Sequence, residues 1–412
     1  MKCRFCAEPL SVGFADLGTA PPSNAFLTAP QLREPETWFP LELFTCLACG
    51  LVQVDEYQDH RRLFDADYVY FSSFSSTWLA HARDYAQRAI ERVGLGSNSR
   101  VLEVASNDGY LLRHFRDRGI PCVGIEPTAG TAAAARAQGI ETIERFFGRE
   151  AATQFRRDRG PVDLVVANNV LAHVPDINDF VAGFALVLAS HGVVTVEFPH
   201  LMQLVAHSQF DTIYHEHFSY LSLATVQRIF AAHGLAIWDV QSLPTHGGSL
   251  RVWAQRAGGP WAATPAVAAM LETERAAGMH SAAYYTGFQA QAETVKNAFL
   301  NFLLECRRDG RRVAAYGAAA KGNTLLNYAG VRADLLPFVV DASPHKQGRF
   351  LPGSRIPVVA ESRLRETRPD FVVILPWNLR DEIAAQLAYI GEWGGRFVTA
   401  VPGLDVFDAA AS

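Results

Sequence analysis

No stretch of this 412-residue sequence holds the roughly 18 consecutive apolar residues that a membrane-crossing helix needs. Positive charge is not in excess either. Lys plus Arg number 37 against 42 Asp plus Glu, a formal net charge of −5 at pH 7, so no overall basic surface seeks a phosphate backbone and nucleic acid is not expected as a partner. The apolar core of a signal peptide is missing, because Met1-Lys2-Cys3 runs straight into a cysteine motif. A cytoplasmic protein without a membrane partner is expected. Cysteine itself is scarce: of six residues, four fall in two CxxC pairs and Cys122 and Cys306 stand alone, which suits metal binding in a reducing compartment better than a disulfide framework.

The sequence is also free of compositional disorder, being 49% hydrophobic and 19% charged, as in ordinary globular domains. Its length predicts two or three of them. Residues 1–66 lack helical pattern and carry Gly, Pro and the paired cysteines, as a small irregular module would. Residues 67–259 open with helical signal from Thr77 to Val93, after which apolar strands at 101–104, 122–125, 164–167 and 193–196 alternate with amphipathic stretches. That rhythm predicts a parallel sheet covered by helices. Residues 260–412 begin with a long helical stretch from Pro265 to about Arg308 and alternate again, with strands expected at 313–316, 338–340, 371–375 and 397–401. The fold class is therefore α/β, with a metal module ahead of two Rossmann-like units.

Cys3-x-x-Cys6 and Cys46-x-x-Cys49 each put two thiolates on one tight turn, and two such turns supply the tetrahedral sulfur set that Zn²⁺ favours. Four protein ligands leave no open position, so the zinc would be structural.

The strand Val101–Val104 ends in Ala105-Ser106-Asn107-Asp108-Gly109, a small-residue turn that lets backbone approach a ligand closely. The next strand ends in Glu126, placed to accept from two ribose hydroxyls. Glu103, Ser106, Asn107, Asp108, Gly109 and Glu126 together resemble the cofactor site of class I S-adenosylmethionine-dependent methyltransferases. Ala105 and Asn107 replace the first two glycines of the usual motif, and a lone Gly109 makes NAD a poor tenant. A third strand leads to Asn168, a partner for the methionine portion, and to His173.

The densest ionisable cluster is Asp211-Thr212-Ile213-Tyr214-His215-Glu216-His217-Phe218-Ser219-Tyr220. Its spacing is not His-Glu-x-x-His, so acid-base work accounts for it better than a second metal. A near-neutral imidazole can take a proton from a carbon beside a ketone, Tyr or His donors can steady the enolate, and Glu216 can orient a ring. On these residues alone, His215 and His217 are both candidates.

The four cysteines, Tyr68-Val69-Tyr70-Phe71-Ser72-Ser73, Ser106-Asn107-Asp108-Gly109, the Tyr214 to Tyr220 run and Gly317-Ala318-Ala319-Ala320-Lys321-Gly322-Asn323 resemble, in order and over nearly the whole chain, the motifs of the sugar C-methyltransferases of deoxysugar biosynthesis. The resemblance implies a zinc module, a central methyltransferase domain and a C-terminal Rossmann-like domain around a nucleotide-linked 4-keto-6-deoxy sugar, usually a dTDP sugar. It implies His217 as the base at C3, with Tyr68, His173, Tyr214 and Glu216 around the sugar and Tyr70 and Ser72 as further substrate contacts.

In the C-terminal region the turn bearing Lys321 and Asn323 follows a strand and opens a helix, so its amides and the ammonium can hold a diphosphate. Asp341, Lys346, Trp377 and Asn378 follow later strands, where a nucleotide would rest. Two rivals stand beside this reading: methylation at C5 or at oxygen or nitrogen of a related sugar, and a non-catalytic zinc-containing binding protein.

Overall fold

The computed structural model describes residues 1–57, 59, 72–74 and 76–409; Tyr68 and Tyr70 lie outside them. The N-terminal module is more regular than its sequence suggests. Val12–Ala20 (β1), Phe39–Thr45 (β2) and Val52–Val54 (β3) pair antiparallel. Two register shifts in the β1–β2 pair, between Gly13 and Ala15 and between Asp16 and Thr19, interrupt the period-2 alternation that would have announced these strands.

The central sheet is built from Val101–Val104 (β4), Cys122–Ile125 (β5), Thr142–Ile143 (β6), Val162–Asn168 (β7) and Leu188–Pro199 (β8), all parallel. Val193 to Phe198 in β8 are buried without a break, as expected of a strand covered on both faces. Burying one such Val or Phe side chain contributes about 1.5–3 kcal/mol. Ser219–Tyr220 (β9) leaves this domain and joins β3, completing a four-stranded N-terminal sheet. Leu235–Leu243 (β10) and Ser249–Arg256 (β11) then form an antiparallel hairpin on the β8 edge, a feature absent from the sequence expectation. The seven strands run β10-β11-β8-β7-β4-β5-β6. Chain order reverses between β4 and β7, which opens a crevice beyond their carboxyl ends.

The stretch expected as one helix from Pro265 to Arg308 is three helices, Pro265–Ala276, Ala282–Thr286 and Phe288–Arg308. The first break holds Gly278 at φ +88°, a left-handed conformation that ends a helix. A third sheet follows: Val313–Tyr316 (β12), Val339–Val340 (β13), Val358–Val359 (β14), Phe371–Ile374 (β15), Arg396–Thr399 (β16) and Asp405–Asp408 (β17), in the order β14-β13-β12-β15-β16-β17. Only β17 runs antiparallel. Its switch point lies between β12 and β15, so the turns after those strands, bearing Lys321 and Trp377, share one crevice.

The hydrophobic cores cross the sheet boundaries. Phe14, Leu41 and Val52 share one core with Phe288 and Phe299 and with Val313 and Ala315 of β12. Cys3, Cys46 and Cys49 pack instead with Val196, Leu223 and Val226 of the central domain. The N-terminal sheet thus cements the two α/β units. Among the described residues no helix is long and apolar enough to cross a membrane.

Candidate active site

The four cysteine sulfurs converge within 4.8 Å of one another. Cys3 and Cys49 Sγ lie 3.6 Å apart, and Cys6 and Cys46 Sγ 3.5 Å, close to the edge of about 3.8 Å that Zn–S bonds of ~2.3 Å impose on a tetrahedron. Gly50, at φ +80°, donates its N–H to Cys46 O at 2.7 Å and closes the second turn. The donor set fits Zn²⁺.

At the central switch point the turn after β4 is tightly wound. Ala105, Asn107 and Gly109 all have positive φ, at 57°, 49° and 80°. Ser106 is buried, and a side chain at Gly124 would meet its Oγ at 2.2 Å, so glycine on β5 makes room for the turn. Glu126 locks the arrangement, because its Oε2 accepts from Asn107 N at 2.9 Å and its Oε1 from Thr128 N at 2.9 Å. Each oxygen keeps a lone pair for a ribose hydroxyl. Asp108 accepts from Ser73 N at 3.2 Å, and Asn107 Oδ1 from Ser72 N at 2.9 Å. Glu103 lies beneath on β4; burial holds its carboxyl well above the usual range, helped by Asp108 and Glu126. Asn168, at the end of β7, is buried and its Oδ1 has no hydrogen-bond partner among the described residues. A strand-tip carboxylate with lone pairs to spare, a turn open to close approach and an unsatisfied amide oxygen fit S-adenosylmethionine.

A second group of side chains gathers where β9 enters the N-terminal sheet. His217 Nδ1 lies 2.9 Å from Thr212 O and its Nε2 2.8 Å from the Tyr214 hydroxyl. A carbonyl only accepts, so Nδ1 carries the proton and Nε2 presents its lone pair. Burial, reinforced by His173 and opposed by the bond to Thr212 O, holds the His217 ring well below its ordinary pKa, leaving it neutral near pH 7. His173 meets it edge to face with ring centroids 4.6 Å apart, and burial brings His173 down to about 4. The partner His173 finds on the next segment is the Glu216 backbone carbonyl. The Glu216 side chain turns the other way and accepts from Asn24 Nδ2 at 3.2 Å; burial raises its carboxyl. His215 leaves the group: its Nε2 lies 3.0 Å from Pro40 O and its ring packs against Phe39.

The C-terminal switch point faces the same region. Lys321 Nζ donates to Asn378 Oδ1 at 2.7 Å and sits 4.5 Å from the Trp377 ring centroid. Asn323 Nδ2 donates to Ser23 O at 2.6 Å, and Thr324 Oγ1 donates to Ile213 O at 2.7 Å, stitching this helix to the N-terminal module and to the His217 segment. Lys346 Nζ donates to Ala318 O at 2.9 Å, and Asp341 Oδ2 accepts from Ala318 N at 2.8 Å. Lys346 and Asp341 therefore brace the Lys321 turn rather than extend away from it. Sequence reasoning passed over His246, which burial brings down to about 4 and whose φ of 54° is unusual for a residue other than glycine. A histidine between Thr245 and two glycines was the available signal. Its ring packs 5.3 Å from Trp78, a further aromatic at the crevice.

A four-cysteine zinc module, a class I S-adenosylmethionine-dependent methyltransferase domain and a second parallel α/β domain are what this fold and site define. Residues 3–64 match a zinc binding domain family, residues 78–240 a methyltransferase domain family, and residues 244–402 the C-methyltransferase C-terminal domain family. The chain belongs to the C-methyltransferase family: it is 34% identical over 411 residues to C-methyltransferase NovU of Streptomyces niveus, covering 100% of this chain and 98% of that protein. A ubiquinone biosynthesis O-methyltransferase of Bradyrhizobium sp. is 28% identical over 152 residues, 32% of this chain and 60% of its own length. Among solved structures, magnesium protoporphyrin IX methyltransferase of Synechocystis PCC 6803 aligns at 13% identity and a TM-score of 0.36, over 48% of this chain and 92% of that one.

Proposed function

We propose that this C-methyltransferase methylates a ring carbon, C3, of a nucleotide-linked 4-keto-6-deoxy sugar, most naturally a dTDP sugar, with His217 as the base. The observation that carries the reading is the pair of bonds on His217. Thr212 O pins the proton on Nδ1, and the Tyr214 hydroxyl marks the free lone pair on Nε2. A neutral, buried imidazole of fixed tautomer is ready to remove a proton from carbon.

Nε2 takes the proton from the carbon beside the ketone, and negative charge spreads onto the ketone oxygen. Nε2 has one lone pair, so the Tyr214 hydroxyl must first turn from it to the ketone oxygen, where it donates to the developing enolate while Nε2 takes the proton. The neutral His173 ring beside it has its one N–H committed to the Glu216 carbonyl and packs edge to face against the base. Bound S-adenosylmethionine supplies the electrophilic methyl group, and Glu126, Asn107 and Asn168 are the residues that would hold it. Lys321, with Asn378 and Trp377 around it, supplies the cation for a diphosphate, and the helix opening at Ala320 adds free amides.

The test is His217→Asn assayed with a panel of nucleotide keto sugars and product mass spectrometry. Wild-type protein should add one methyl to the sugar and, when methyl transfer is withheld, exchange the hydrogen on the same carbon of the substrate for solvent deuterium, because only carbon chemistry forms an enolate. His217→Asn should lose both activities while binding S-adenosylmethionine normally. Methylation at oxygen, or wild-type turnover by the variant, would overturn the proposal.

A further inference from the structure

Arg4 stands inside the first cysteine pair, and the chemistry above does not use it. Its backbone N–H donates to Gln53 Oε1 at 2.8 Å, and Gln53 Nε2 donates in turn to Cys3 Sγ at 3.3 Å. Its side chain leaves the knuckle and reaches the active-site segments. Nη1 donates to Pro175 O at 2.8 Å, Nη2 donates to the Val54 carbonyl, and the guanidinium lies 5.4 Å from the Phe218 ring centroid. Asn178 Nδ2 donates to both Arg4 O and Phe5 O, at 3.2 and 2.9 Å, fastening the knuckle to the helix Ile177–Val187.

Each anchor flanks the histidine pair. Pro175 follows His173 by two residues, Phe218 follows His217 directly, and Val54 N donates to Phe218 O at 3.2 Å. A guanidinium is costly to desolvate, and its rigid fork is the one cationic side chain that can hold two separate carbonyls at fixed spacing. We infer that Arg4 is a positioning residue, tying the cysteine knuckle to the backbone beside both His173 and His217 and so setting the spacing of the two rings. The inference rests on the reading of His217 as base. It makes the metal module part of the catalytic geometry as well as of the fold.

The experiment compares full-length wild type, Arg4→Met and Arg4→Lys, each measured for bound zinc, S-adenosylmethionine affinity, kinetics on a dTDP-linked 4-keto-6-deoxyhexose and histidine ¹⁵N signals. Arg4→Met should keep its zinc and its S-adenosylmethionine affinity. Its kcat should fall about 10- to 100-fold at little-changed KM, the effect of a sub-ångström to ångström misplacement, and the ¹⁵N signals of His217 should lose their single-tautomer pattern. Arg4→Lys, able to reach one carbonyl at a time, should fall between; it also serves if Arg4→Met does not fold. Unchanged kcat with unchanged His217 signals would overturn the inference, as would a loss of turnover that follows zinc loss in proportion. His217→Asn is assayed alongside: wild-type turnover there would remove the base assignment, while the ¹⁵N signals of Arg4→Met would still report whether Arg4 sets the ring.

Discussion

Trp377 Nε1 donates to Asp211 Oδ2 at 2.7 Å, and this bond joins the turn after β15 to the segment that carries His217. Asp211 is fully buried, and burial pushes its carboxyl up to about 6 even though Lys321 and the Trp377 indole favour the ionised form. The same burial brings Lys321 down to about 8, with Asp211 opposing the shift. Domain contact and charge state are therefore linked at one place.

This link predicts how nucleotide binding responds to pH. If the Lys321 ammonium holds a diphosphate, affinity for dTDP is highest while Lys321 is protonated and declines as pH rises through about 8. Loss of one required proton makes binding about tenfold weaker at pH 9 than at pH 7. Asp211→Asn removes the charge that favours the ammonium, so the decline should begin at lower pH. Calorimetric titration of dTDP between pH 6.5 and 9 measures both; a flat profile for the wild type would remove Lys321 from the site.

Glu126→Gln tests the cofactor crevice. The carboxylate accepts from two backbone amides, Asn107 N and Thr128 N, whereas a carboxamide has a single acceptor oxygen and must leave one of them unmatched. Hydrogen bonds to a charged acceptor contribute about 1.5–3 kcal/mol. S-adenosylmethionine should bind roughly 10- to 100-fold more weakly, with a smaller drop in thermal stability. Wild-type affinity in calorimetry would place the ribose elsewhere.

Much of this architecture is legible in the residues themselves. The strands β4, β5 and β12 begin and end where their apolar runs do, because strands covered on both faces are written as continuous hydrophobic sequence. The cysteine pairs announce their own convergence. The strands β1 and β2 are hidden because bulges break their alternation, and the hairpin β10–β11 because a buried run such as Leu250 to Ala254 reads equally well as part of a helix. At the site, the Tyr214 to His217 run is plainly rich in ionisable groups, yet only the fold separates its members. His215 faces Pro40 while His217 faces Tyr214 and His173. Arg4 and His246 carry no local mark strong enough, since their partners come from distant sequence.

Metal removal should reach the site as well as the module. Cys3, Cys46 and Cys49 are buried in the core shared with the central domain, and β3 carries β9 directly after the His217 segment. Structural zinc contributes its binding energy to folding, about 10 kcal/mol or more in small modules. Cys49→Ser should lose zinc, melt well below the wild type and lose turnover. Zinc content and scanning calorimetry decide this, and a variant that melts with the wild type would make the metal incidental.

The buried histidines set the acid limit of stability, and the sign can be worked through residue by residue. His173 and His246 are each brought down to about 4 by burial, while an unfolded histidine titrates near 6.5. Between those values the unfolded chain binds protons that the folded chain refuses, so each ring makes stability fall as pH drops from 6.5 toward 4 and has no effect above 6.5. Asp211 and Glu216 act in the opposite sense, because burial raises their carboxyls and the folded chain keeps protons that the unfolded one releases. Denaturant unfolding of the wild type, His246→Asn and Asp211→Asn at steps between pH 4.5 and 7 separates the two effects. His246→Asn should flatten the loss of stability, by at most about 1.4 kcal/mol per pH unit for one proton, and Asp211→Asn should steepen it. Identical slopes in all three proteins would mean that these groups titrate in the folded chain as they do in water, and the neutral imidazole proposed as the base would lose its electrostatic support.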